Sequence, residues 1–452
     1  MAGEWKLSCF TSVIPCDSGD LVLHNSFMGA VARVPAPQAE RIKGYLQNGF
    51  KESDGNGRAI KELCEQGFFV SADLDERRVV RETLDQERSR RLGLMILPHE
   101  NCNFRCIYCY EKFKRGKMGP DVVAGLKRFV DRNVGNYNGL GIAWFGGEPL
   151  LGYDVIAELS QSFIRSCRRH GVIYSSGMST NAYLLTPDMF QLLLKHKVNN
   201  FQICIDGPEP IHNAKRKLAG GGGTYRRILD NLLQMRDTDE DFFVSLRVNF
   251  DNDSTEFIET WLEAEIAPRF AGDPRFGLHY EPVTRRGGPA DAELDICEPK
   301  AAFPIRSGYY RKSLALGFSD RNVKKHLMPH GSVCYAAREA ALIVGSDGAV
   351  YKCSLVFDDP RNAVGTLRSD GQLVVNQAKM SLWTTLEGRD TSACDSCPLY
   401  PCCQGRKCPL LTIKQNRPSC PMTVEMYETL VKLVAFGKAP DPAQAARPVA
   451  GE

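Results

Sequence analysis

Between residues 92 and 282, short apolar runs alternate with amphipathic stretches of helical length. The runs at 92–97, 141–145, 172–178, 200–205, 242–250 and 276–282 have the length and composition of buried strands. Between them, apolar positions recur with helical spacing at 121–134, 153–169, 186–196, 224–236 and 254–265. Strands alternating with helices of this size imply βα units and a parallel sheet. Six such units predict an α/β fold, a partial (β/α)6 TIM-like barrel over 92–290. Its active-site loops belong at the carboxyl ends of the strands.

The flanks read differently. Residues 1–72 pattern as a small α+β, winged-helix-like domain: a strand at 21–26, helical stretches around 38–48 and 57–66, and a strand near 67–70. A connector follows at 73–91, with six acidic and six basic side chains, the signature of a solvated helix face. After a bridging region at 291–330, residues 331–425 hold short strands among many Pro, Gly and Cys punctuators. So little apolar surface leaves metal clusters to organise that domain. Residues 426–452 are a helix and then an Ala/Pro-rich tail from Ala439, with the composition of disorder.

Length and charge narrow the class. A chain of 452 residues exceeds one ordinary core. Its net charge of +3 is too small for a nucleic-acid footprint. No apolar run spans a bilayer, and the start Met1-Ala2-Gly3-Glu4-Trp5-Lys6 lacks a secretory pattern, so the expected location is the cytoplasm. In that compartment seventeen cysteines point to metal or redox chemistry rather than disulfides.

Three of them, Cys102, Cys106 and Cys109, are spaced C-x3-C-x2-C. They can hold three corners of a [4Fe–4S] cube, leaving one iron for a group that is not protein. A zinc site closed by His99 is the alternative on residues alone. Gly146-Gly147-Glu148-Pro149, Ser179-Thr180-Asn181, Cys204-Ile205-Asp206-Gly207-Pro208, Arg216 and Arg247-Val248-Asn249 then end successive strands or follow them. In this order the landmarks resemble the radical S-adenosylmethionine (SAM) enzymes. The resemblance implies that the open iron chelates SAM and that Tyr108 packs near its adenine. By the same resemblance Gly146, Gly147, Glu148, Pro149, Ser179, Asn181, Asp206, Arg216, Arg247 and Asn249 contact the nucleotide. Ala182 and Cys204 depart from the family's Gly and Ser.

The later cysteines resemble the SPASM extension of this superfamily. That resemblance assigns Cys394, Cys397, Cys403 and Cys420 to one auxiliary [4Fe–4S] cluster and Cys334, Cys353 and Cys408 to another. Cys402 is an alternative to Cys403, and the remaining iron of the incomplete set is either open to substrate or met by Cys297, Cys402 or a non-cysteine group. Three [4Fe–4S] clusters and SAM are therefore the expected cofactors, with an external low-potential donor such as flavodoxin or ferredoxin. SPASM relatives imply a 5′-deoxyadenosyl radical that abstracts hydrogen from a peptide, and the N-terminal domain resembles regions that handle a precursor's leader. The resulting expectation is a maturase of ribosomally made peptides that installs a thioether or carbon–carbon crosslink. Formylglycine formation on a sulfatase is the alternative within the superfamily; ninety residues ahead of the cluster motif speak against it. An iron–sulfur electron carrier or a zinc-stabilised binding module is the alternative of another class. The sequence singles out no general acid or base.

Overall fold

A computed structural model describes residues 3–51, 53, 57–420 and 422–437. The expected tail from Ala439 lies outside the described residues. The chain forms two compact units, residues 89–319 with 335–385, and residues 1–88 with 320–334 and 386–452. Residues 331–425, expected as one Cys-rich domain, are thus divided between them.

The first unit carries the barrel sheet. Six parallel strands follow chain order across it: β1 (Arg91–His99), β2 (Gly139–Gly146), β3 (Ile173–Thr180), β4 (Val198–Cys204), β5 (Phe243–Phe250) and β6 (Phe276–Pro282). Helices Pro120–Asn133, Tyr153–His170, Pro187–Lys195, Tyr225–Arg236 and Asn252–Trp261 connect them. Their alternate side chains fill the core, with Trp144, Ile203, Leu246 and Tyr280 all fully buried. The sheet is not closed on itself, so the expected partial α/β barrel is the fold. Outside β1 lies a strand at Ala341–Val344, pairing parallel in the register Ala341↔Gly93 to Val344↔Ile96. Three antiparallel strands, Ala349–Tyr351, Ala363–Leu367 and Leu373–Val375, extend the sheet from there.

The other unit opens with two three-stranded antiparallel sheets, one of Thr11–Pro15, Leu21–Asn25 and Ala30–Val34. The second has Glu4–Leu7 in the middle, flanked by Phe50–Lys51 and Phe69–Ser71. Helices Ala36–Asn48 and Arg58–Glu65 bury Ile42, Leu46, Ile60 and Leu63 against Leu23 and Phe68. The charged run 73–91 is largely the helix Glu76–Ser89, buried only at Glu76, Val80 and Leu84. Among the described residues no helix is long and apolar enough to cross a membrane.

Candidate cluster and nucleotide site

Chain direction places the cysteine triplet at the carboxyl end of β1. After His99 the backbone turns into a short strand, Phe104–Cys106, pairing antiparallel with Arg216–Leu218 so that Cys106 faces Arg216. The Phe104 backbone N–H donates to Cys102 Sγ at 3.3 Å, and Asn181 Nδ2 approaches the same sulfur at 3.7 Å. Donors aimed at sulfur suit a thiolate or a cluster. Burial pushes the Cys102 and Cys109 thiols up to about 12 and raises Cys106 as well. Without added positive charge these are therefore thiols; bound iron makes them thiolates. Among the described residues no three His, Cys, Asp or Glu side chains are grouped so as to hold a metal ion. A cube takes each thiolate on a different iron.

Beside the triplet is a cavity of about 200 Å³, open to solvent, at the carboxyl ends of the barrel strands. Of the residues expected to touch SAM, Tyr108, Gly146, Gly147, Ser179, Asn181, Arg216, Arg247 and Asn249 line it, as do all three cysteines. Gly147 is required by space: a Cβ there would sit 2.4 Å from the Asn101 carbonyl oxygen. Gly146 adopts φ 120°, and a Cβ on it would meet the His99 carbonyl oxygen at 2.5 Å. The chain at Gly146 and Gly147 thus packs directly against the backbone of residues 99–101.

Glu148, Pro149 and Asp206 stand behind the wall instead. Glu148 is fully buried, and its carboxylate accepts from Leu150 N (3.1 Å), Thr180 Oγ1 (2.7 Å) and Asn181 N (2.8 Å). Burial raises its carboxyl pKa against the pull of these donors. Its role in this structure is to tie the β2 loop to the β3 loop. Asp206 accepts from the Tyr108 hydroxyl, and from Asn249 through its backbone N–H (2.9 Å) and Nδ2 (3.0 Å). Arg216 Nη1 donates to the Tyr108 hydroxyl at 2.8 Å, whereas Arg216 Nε has no partner among the described residues. A buried guanidinium with an idle N–H beside an open cavity fits an anionic occupant.

Several lining residues lie outside the set expected to touch the nucleotide. Gln202 and Cys204 sit on β4, and Tyr110, Glu111 and Arg286 border both this cavity and a neighbouring one. Glu111 Oε1 is buried without a hydrogen-bond partner among the described residues, and burial followed by the charge of Glu100 pushes the carboxyl up to about 7. Its place two residues after Cys109 was the one available cue.

The later cysteines gather in part. Cys397, Cys420 and Cys394 all stand close enough to raise the Cys403 thiol, which burial takes to about 12. Cys402 is buried with its Sγ 3.3 Å from the Leu327 carbonyl oxygen and 3.6 Å from that of Ser26. Burial and then the charges of Cys403 and Cys397 also raise the Cys402 thiol, so Cys402 stands in the same neighbourhood as Cys403. Of the other expected set, Cys353 follows Ala349–Tyr351 in the barrel unit, its backbone N–H on Asn362 Oδ1 (2.8 Å). Cys334 and Cys408 are in the other unit, where the Cys408 N–H donates to Ser419 Oγ (2.8 Å). Cys297 is buried among the charged groups Asp251, Asp295 and Lys215.

The stretch that holds the triple-cysteine loop, the glycine-floored cavity and most of the partial barrel is similar to a radical SAM domain. Residues 96–259 match the family described as the Radical SAM superfamily. The chain is 22% identical over 317 residues to the radical SAM cyclopropyl synthase TigE of Paramaledivibacter caminithermalis, covering 60% of this chain and 64% of that protein. It is 29% identical over 147 residues to a cysteine-type anaerobic sulfatase-maturating enzyme of Clostridium perfringens, covering 30% of this chain and 39% of that one. The chain therefore spans less than two thirds of the length of either relative. Among solved structures, native anSMEcpe with bound AdoMet (SAM) and the Cp18Cys peptide superposes with TM-score 0.53 at 17% identity. That match covers 76% of this chain and 96% of the other, and it shows a shared fold.

Proposed function

We propose that the chain is a radical SAM peptide maturase: it binds SAM at a [4Fe–4S] cluster on Cys102, Cys106 and Cys109, and oxidatively crosslinks a ribosomally made precursor through a thioether or carbon–carbon bond. The observation that carries this reading is the meeting of those cysteines with Gly146, Gly147 and Arg216 around one cavity. When bound, the cluster and SAM supply one-electron reduction and a hydrogen-abstracting nucleoside fragment. The protein's part is to hold and orient. Gly146 and Gly147 let main-chain carbonyls approach an ammonium group, Arg216 and Arg247 offer cations to a carboxylate, and Tyr108 presents a ring beside the cysteines. Glu148 keeps two of the surrounding loops in register.

Auxiliary clusters on Cys394, Cys397, Cys403 and Cys420, and on Cys334, Cys353 and Cys408, complete the proposal as an outlet for the substrate's electron. An external low-potential donor supplies the first one. A peptide as substrate is supported by the anSMEcpe structure, which holds one. The outer strands Phe50–Lys51 and Phe69–Ser71 offer edges to which a leader can add as a further strand. Formylglycine formation is the second reading, supported by the sulfatase-maturating relative.

Anaerobic purification tests the assignment. Expected are brown protein with about twelve irons per chain, for three four-iron cubes, and conversion of SAM to 5′-deoxyadenosine after reduction. Replacing Cys102, Cys106 and Cys109 by Ala should remove about four irons and abolish the product. Colourless zinc protein would overturn it. Mass loss in a short Cys-rich peptide encoded nearby, against oxidation of a sulfatase peptide, separates the two substrates.

A further inference from the structure

We propose that Arg216 is a built-in counter-charge for the candidate cluster, holding its reduction potential above the value a neutral residue would give. The inference rests on the assignment of that cluster to Cys102, Cys106 and Cys109. Register supplies the proximity. Arg216 lies directly opposite Cys106 in the antiparallel pair, and the Ile107 N–H donates to the Lys215 carbonyl at 3.0 Å. That bond makes Cys106 and Arg216 a non-hydrogen-bonded pair, the arrangement in which facing side chains approach most closely and share one face.

Charge supplies the reason. Arg216 is buried, and a buried cation is costly unless an anion meets it. Its Nη1 contacts the Tyr108 phenol and its guanidinium stands over the Phe104 ring at 5.6 Å, while the Asp206 carboxylate, near enough to act on its charge, accepts its hydrogen bonds from Tyr108 and Asn249. Arg216 Nε is left idle at the cavity wall. The anion that suits this place is a sulfur-ligated cube beside Cys106. One-electron reduction, from dithionite in the test below, adds one negative charge to the cube and breaks no bond. A fixed cation therefore favours the reduced state, as hydrogen bonds and net charge near the sulfurs do generally.

An EPR-monitored redox titration of anaerobically reconstituted protein without SAM tests this apart from any role in nucleotide binding. The relevant signal is the one missing from the Cys102→Ala/Cys106→Ala/Cys109→Ala protein. In Arg216→Met its reduced-to-oxidised ratio at fixed potential should fall about tenfold, equal to a shift of about 59 mV for one electron. Arg216→Lys should recover most of that ratio. Arg216→Met titrating with wild type, or Arg216→Lys shifted as far as Arg216→Met, overturns the proposal. Should Arg216→Met load no iron, protein labelled with 15N-arginine decides. A 15N coupling on the signal, lost in Arg216→Lys, supports the counter-charge, and its absence from labelled wild type overturns it. If no signal disappears in the triple variant, the cluster assignment fails instead.

Discussion

Glu148 accepts the backbone N–H of Asn181 at 2.8 Å, joining the loops that end two adjacent parallel strands. The Thr180 hydroxyl and the Leu150 N–H share the same carboxylate. Glu148→Ala leaves three donors around a buried hole, and each unsatisfied group costs about 1–3 kcal/mol. The expected outcome is a clearly lower Tm together with weaker SAM binding; Glu148→Gln, which keeps acceptor capacity, should lose less of both. Thermal unfolding and equilibrium binding of SAM check this.

Gly147→Ala meets main chain rather than a flexible side chain, at the Asn101 carbonyl. Overpacking of this kind costs about 1–3 kcal/mol. Relief requires the Asn101–Cys102 backbone to move, so iron loading as well as SAM affinity should fall. Iron analysis of Gly147→Ala beside wild type reads the outcome.

Cys402 and Cys403 are buried neighbours, and the Cys402 Sγ lies 3.3 Å from the Leu327 carbonyl oxygen. Cys403→Ser should remove about four irons per chain, whereas Cys402→Ser, which keeps a donor toward Leu327, should retain all of them. Parallel iron and sulfide assays distinguish the two.

His24 makes the unit that holds residues 1–88 sensitive to acid. Its Nε2–H donates to the Leu327 carbonyl at 3.0 Å, which leaves Nδ1 to accept from the Tyr427 hydroxyl at 2.6 Å. Burial lowers the imidazole to about 4, while the unfolded chain binds its proton near 6.5. Between those values unfolding takes up a proton, so stability falls as pH drops from about 6.5 toward 4, by about 3 kcal/mol in all. The Tm advantage of wild type over His24→Gln should therefore narrow across that window.

The barrel was legible in the chain because its strands and helices keep one period from end to end. All six expected strands and five helices appear within a few residues of their expected places. The exception is instructive: the helix expected to run from 254 to 265 stops at Trp261, then passes through a π turn at Leu262–Ile266. Pro268, lacking an N–H for the 264 carbonyl, accounts for that change. The helix Pro299–Ala315 was hidden in the bridging region by an internal proline, Pro304. The short strand Phe104–Cys106 is too brief for any periodic signal. In the site, spacing exposed the cysteines but not the orientation of Glu148 and Asp206, which depends on hydrogen bonds to loops distant in sequence.

The pairing of Ala341–Val344 with Arg91–His99 has a consequence for synthesis. A ribosome completes β1 about 240 residues before the segment that covers its outer rim. Until then the nascent barrel displays a bare row of amides and carbonyls, an invitation to cross-molecular strand exchange. Release of the polypeptide at any codon before Ala341 should accordingly yield aggregates, and the tail-end strands double as the molecule's guard against sticking to its own copies.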